Sequence, residues 1–240
     1  MTATDTAALA VTGLRYAWPG AAALIDIPGL EVARGESVFL HGPSGSGKST
    51  LLNLVAGTLR PAAGTITLAG HETTALRGAA LDRIRADHIG FVFQMFNLLP
   101  FLPVLDNVLL PCRFSARRRA RAVERDGSLE AGARRLLAQL GLTDGNLLQR
   151  AATGLSVGQQ QRVAAARALI GAPDLVICDE PTSALDHDAR ESFITLLFDE
   201  CRRNDAALLF VSHDHTLKGL FGRTLSLTAI NRAANPGVAA

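Results

Sequence analysis

Residues 42–50 read GPSGSGKST, four short residues between two glycines followed at once by Lys48, Ser49 and Thr50. Glycine-rich stretches cost backbone entropy on folding. A chain carries that cost where its backbone must come close to something. The flanks set the context. "ESVFLHG" is an apolar strand running into a glycine. "KSTLLNLVAG" places Leu51, Leu52, Leu54 and Val55 on a helical pattern, with Gly57 as its stop. Strand, GxxxxGK[ST] and helix in that order predict a phosphate-binding loop. Gly42, Pro43, Ser44, Gly45, Ser46, Gly47, Lys48, Ser49 and Thr50 form it. Its backbone N–H groups and the helix N-terminus are expected to bind phosphate oxygens, which larger side chains would block. Lys48 adds a point charge near the β- and γ-phosphates, and the Ser49 hydroxyl is a ligand for Mg²⁺. The expected visitor is a nucleoside triphosphate.

Such a loop restricts the fold to a parallel α/β sheet, and the rest of the chain agrees. "HIGFVFQ", "DLVICDE" and "AALLFVSHD" are short apolar runs ending in polar residues, as strands buried on both faces do. "GTITLAG" alternates between glycines and belongs to a β-rich N-terminal part. "DARESFITLLFDECRRN" reads as a crossover helix, and crossovers are right-handed. "RRRARAVERDGSLEAGARRLLAQLGL" is charged and helical, and the arginine cluster from Arg113 to Arg135 is read as a solvated face or as a surface for lipid headgroups or a partner's acidic loops. The expected organisation is a nucleotide-binding core at 1–94 and 166–228, a helical subdomain at 95–165 and a flexible tail at 229–240.

Composition excludes several classes. The chain has 240 residues, 48% of them hydrophobic and 19% charged, as in a folded domain. The net charge of +2 argues neither for nor against nucleic acid. Cys112, Cys178 and Cys201 show no zinc spacing and suit a reducing cytosol. The N-terminus lacks the pattern of a signal peptide. "FNLLPFLPVLDNVLLP", with three prolines and Asp106, does not read as a membrane span.

A phosphate loop alone suits a kinase, a GTPase or a motor. "LVICDE" narrows this. It delivers Asp179 and Glu180 at a strand tip, Asp179 to hold Mg²⁺ and Glu180 to take a proton from the attacking water. A third stretch, "LSVGQQQRVAAARAL", starts at Leu155, and Ser156 is placed to cap the following helix. LSxGQ, then an apolar strand and Asp-Glu some twenty residues on, resembles the ATP-binding cassette (ABC) family. The resemblance spans roughly residues 8 to 228.

It implies the following. Tyr16 in "LRYAWPG" stacks on adenine, with Trp18 as the alternative. Gln94 senses Mg²⁺ and the γ-phosphate, and His213 in "VSHD" is the switch histidine. Ser183, Ala184, Leu185 and Asp186 form the D-loop. Leu155, Ser156, Val157, Gly158 and Gln159 meet the ATP held by a second copy in a head-to-tail homodimer. That dimer drives an integral-membrane permease subunit, whose coupling helix docks on the stretch after Gln94. The chain is then cytoplasmic and peripheral on the inner face of the cell membrane, with no nucleic acid expected. It resembles most the cassettes of lipoprotein-release (LolD) and macrolide-export (MacB) systems. A conventional importer or exporter, and a soluble ABC ATPase of DNA repair or translation, remain as alternatives. Two departures stand out: Val157 replaces the first glycine of LSGGQ, and His41 precedes the loop where the family more often has an apolar residue.

Overall fold

The structure, a computed structural model, describes residues 7–182 and 187–234. The expected D-loop, Ser183–Asp186, therefore lies outside the described residues. Among the described residues, nine strands form two sheets. The antiparallel sheet, in the order β2-β1-β4-β5, comprises β1 (Ala7–Ala17), β2 (Ala23–Ala33), β4 (Ala63–Leu68) and β5 (His71–Glu72). The parallel sheet, in the order β6-β7-β8-β3-β9, comprises β3 (Ser37–His41), β6 (Ile89–Val92), β7 (Leu175–Asp179), β8 (Ala207–Val211) and β9 (Arg223–Ser226).

The apolar runs of β3, β7 and β8 are continuous because both faces of their sheet are covered. Val38, Leu40, Ile177, Leu209 and Val211 pack into a cluster with α1 (Lys48–Val55) and the antiparallel sheet. Their alternates Phe39, Val176, Cys178, Leu208 and Phe210 join the opposite cluster. That cluster is closed by α3 (Val104–Phe114), α5 (Leu129–Gln139), α6 (Val157–Leu169) and α7 (His187–Arg203). Two further helices, α2 (Gly78–His88) and α4 (Ala116–Asp126), flank the sheet edge, and α8 (Leu227–Ile230) follows β9. The fold class read from the sequence holds: an α/β nucleotide-binding core with a parallel sheet, an antiparallel β edge and inserted helices.

The charged stretch forms two helices, not one. Gly127, with φ 78°, ends α4 in the left-handed region that glycine favours, and the Ser128 hydroxyl caps α5 by accepting from Ala131 N. Its arginines are a correction to the solvated or lipid-facing reading. Arg117 donates to both oxygens of the buried Asp174, and Arg121 to Ala172 O. Arg135 and Arg203 both reach the fully buried Glu200 at 2.9 Å. Arg118 is 2% exposed and donates to Ile89 O, Ala168 O and Ile170 O, capping the C-terminal carbonyls of α6. The run fastens the inserted helices to the core.

The stretch read as a flexible tail also begins inside packed structure. Asn231 is buried, donates to Leu24 O and accepts from Asp26 N, so residues up to 234 are tied to β2. No described helix is long and apolar enough to cross a membrane.

Candidate active site

The carboxyl ends of parallel strands converge, and that edge of an open α/β sheet is where ligands bind. β3 ends in the loop 42–47, β6 leads to Gln94, β7 ends at Asp179, and β8 leads to Ser212 and His213. One cleft of about 470 Å³ is lined by Ser44, Gly45, Gly47, Lys48, Ser49, Thr50, Gln94, Asp179, Glu180 and His213, joined by Leu24. The structure thus gathers four motif residues from outside the loop, Gln94, Asp179, Glu180 and His213, around it. Leu24 escaped the sequence reading because a lone apolar residue in a strand carries no motif.

The loop is built as a cradle. Gly47 has φ 97°, and a Cβ there would lie 2.9 Å from Ile25 Cδ1, so only glycine fits. Lys48 Nζ donates to Gly42 O at 2.8 Å and Pro43 O at 3.1 Å, which ties α1 to the loop's entry. Ser46 N donates to Pro43 O, while the buried Ser46 Oγ has no partner among the described residues.

Beside the loop, Asp179 is hydrogen-bonded by Ser49. Burial pushes its carboxyl above the usual range, with the Glu180 charge adding to the rise, against the pull of Ser49 and Lys48. A hydroxyl beside a carboxylate short of cationic partners is a hard-oxygen donor set that fits Mg²⁺. Gln94 in the same cleft offers a third oxygen. Glu180 takes a left-handed φ of 49°. Its Oε2 lies 2.9 Å from His213 Nδ1 and accepts from Ser212 Oγ at 3.2 Å. With its proton on Nδ1, His213 donates to this oxygen.

Three further places singled out in the sequence lie outside this cleft, the signature among them as a segment expected to face a second copy's ATP. Tyr16 does not present its ring: it is 8% exposed and built into the core, with Trp18 edge-on to it at 5.2 Å. Trp18, at 47%, is the exposed ring. None of Leu155–Gln159 lines the cleft. Ser156 instead caps α6 in a reciprocal box, its Oγ accepting from Gln159 N and its N donating to Gln159 Oε1, with Val157 exposed beside it. His41 packs against Phe39 and stands edge-on to His215 at 5.1 Å. Burial, then Lys218 and His215, hold it below the ordinary imidazole range.

A profile of the ABC transporter family matches residues 26–183. The chain belongs to the ABC transporter family. This cassette is 46% identical to the lipoprotein-releasing system ATP-binding protein LolD of Anaeromyxobacter dehalogenans, over 82% of the chain and 80% of that protein. It is 38% identical to the macrolide export ATP-binding/permease protein MacB of Rhodopseudomonas palustris, over 90% of the chain. There it spans 32% of the relative's length. Among solved structures, the ATP-binding cassette MJ0796, a dimer in a post-hydrolysis state with ADP and Pi, matches at a TM-score of 0.78 and 31% identity. The match covers 91% of this chain and 93% of that one. The cassette is an ABC ATPase, an ATP-binding subunit for transport.

Proposed function

We propose that two copies of this cassette close head to tail on ATP and drive a separate membrane permease of the lipoprotein-release or macrolide-export type. The observation that carries this reading is the division of the motifs. Lys48, Ser49, Gln94, Asp179, Glu180 and His213 share one cleft, while Ser156 caps a helix outside it. A second copy's Ser156 and Gly158 complete the site across the γ-phosphate.

In this reading the loop N–H groups and Lys48 hold the phosphates, and Trp18 stacks on adenine in place of Tyr16. Ser49, Asp179 and Gln94 would hold Mg²⁺, which when bound would supply charge neutralisation at the phosphate oxygens. Glu180 takes the proton of the attacking water, and His213 orients its carboxylate. Loss of the γ-phosphate removes the bridge between copies, and the dimer reopens.

The permease is supported by a second cavity. A groove of about 550 Å³ runs between α2, β6, α3 and the end of α6, lined by Phe91, Phe93, Leu110, Pro111 and Phe114. Met95, Phe101 and Phe114 are exposed by 81%, 75% and 73%, an apolar surface that a partner helix covers. Arg167 in its wall donates to Phe96 O and Asn97 O, and burial lowers it to about 10.

A tagged Glu180→Gln cassette, incubated with Mg-ATP, tests the proposal. It should elute as a dimer and retain a membrane protein from detergent-solubilised membranes. A partner with few spans and a large extracytoplasmic domain supports the type named above. A compact multi-span permease moves the cassette to conventional import or export. Recovery of nucleic acid or ribosomes without a membrane protein overturns the transport reading.

A further inference from the structure

Glu180 sits in an improbable backbone conformation. A non-glycine residue at φ 49° persists only where its surroundings over-determine it. Two attachments do so. Glu180 N donates to Val211 O at 2.9 Å, extending the pairing of β7 with β8 by one bond. Its carboxylate is then met by the next residues of the neighbouring strand, Ser212 and His213.

These two donors differ in kind. The His213 side chain is 74% exposed and is held, among the described contacts, at the cleft's open side. Ser212 is 1% exposed, and its own N–H faces Leu40 O on β3. Its hydroxyl accepts from Asp214 N at 3.1 Å. Asp214 N can only donate to this hydroxyl, so the one hydroxyl hydrogen is directed at Glu180 Oε2. The acceptor arrangement is itself anchored. Asp214 Oδ1 takes Thr216 N and Thr216 Oγ1 at 3.0 and 2.6 Å, and its Oδ2 pairs with Arg190 of α7. Neither donor uses Oε1, which leaves that oxygen to accept a proton from water.

We infer that Ser212 is a positioning residue for hydrolysis, a buried donor that fixes the Glu180 carboxylate with Oε1 turned to the attacking water. The inference rests on the reading of Glu180 as the proton acceptor. Ser212 is buried and does not line the cleft, so its loss acts on the chemical step and spares ATP binding.

Steady-state Mg-ATP hydrolysis by the full chain tests it. A hydrogen bond to a charged group, once removed, is expected to lower kcat about tenfold in Ser212→Ala. KM for ATP should stay within about twofold of wild type, since the phosphate cradle is untouched. Ser212→Thr keeps the hydroxyl and should restore kcat. Should the alanine variant not fold, Ser212→Cys fills the space with a poor donor and should show the same loss. Wild-type kcat in the alanine or cysteine variant overturns the inference, as does a raised KM with kcat preserved, or a threonine variant as slow as alanine. Glu180→Gln separates the two levels. If it is inactive beside a fully active Ser212→Ala, the positioning role alone fails. If it hydrolyses ATP at the wild-type rate, the reading of Glu180 fails and the inference with it.

Discussion

Asp174, the residue before β7, and Asp179, its last residue, bracket one strand, and their surroundings treat them in opposite ways. At the entry, Asp174 is 2% exposed and ringed by His88 Nδ1 at 2.7 Å, Arg117 at 2.8 Å and Arg34 at 3.4 Å. Burial alone would push its carboxyl up; the His88 hydrogen bond with the Arg117 and Arg121 charges outweighs that and holds it below the usual range. At the exit, Asp179 has a hydroxyl and another carboxylate beside it, and it is held above that range. A buried charge with every lone pair answered is a fastener. A buried charge left short of cationic partners is waiting for one, and shifted groups gather at functional sites for this reason.

The contrast can be broken most sharply at the exit. Glu180→Gln should cut ATP turnover by about a hundredfold or more, the scale of a lost general base. Its melting temperature should not fall, because no buried cation depends on Glu180. A parallel drop in activity and stability would mean that the exit is structural after all.

The entry should respond the other way. Asp174→Ala takes the acceptor from His88 and Arg117 and one partner from Arg34 and Arg121, and removing one partner of a buried pair costs about 3 kcal/mol or more. Chemical denaturation should report that loss, while the ATP affinity of the folded fraction stays unchanged. The pH dependence follows from the direction of the shift. A carboxylate held low in the folded state stabilises fully above its unfolded value of about 4 and loses that contribution as pH falls through the folded value. Asp174→Asn should therefore flatten the acid end of the stability curve.

The two aromatic rings sharpen the same division on a smaller scale. Trp18→Ala should weaken ATP binding by about tenfold, the worth of one base stacked on an aromatic ring, with little change in stability. Tyr16→Ala should do the reverse, since its ring lies in the core. Equilibrium binding and thermal melting of the pair decide between them.

The smallest effect belongs to His41. Its imidazole is held low, so the unfolded chain binds that proton more readily. Stability should fall as pH drops through about 6.5 and level off once the folded state is protonated too. His41→Phe should make that part of the curve shallower. Melting at pH 5.5 and pH 8 measures it.

Much of this was legible in the chain itself. The loop 42–50 reads from sequence because phosphate binding uses contiguous backbone, and the glycines that permit close approach are adjacent in the chain. Asp179 and Glu180 read because they close an apolar strand, and parallel strands deliver their ends to one edge; Gln94 and His213, each two residues past a strand, are named by the family resemblance. Tyr16 misled because two aromatics stand two residues apart at the end of β1, and only burial tells which ring is exposed.

The sequence by itself determined the nucleotide loop, the parallel sheet and the order of the motifs, because those depend on local spacing and on strand and helix periods. Tertiary structure decided what the arginines of α4 and α5 do. Their partners, Asp174, Glu200 and the carbonyls at the end of α6, lie about fifty to eighty residues away in the chain. It also decided that Ser212 meets Glu180, thirty-two residues apart. Charge pairing depends on which segments the folded core brings together, and no local pattern carries that information.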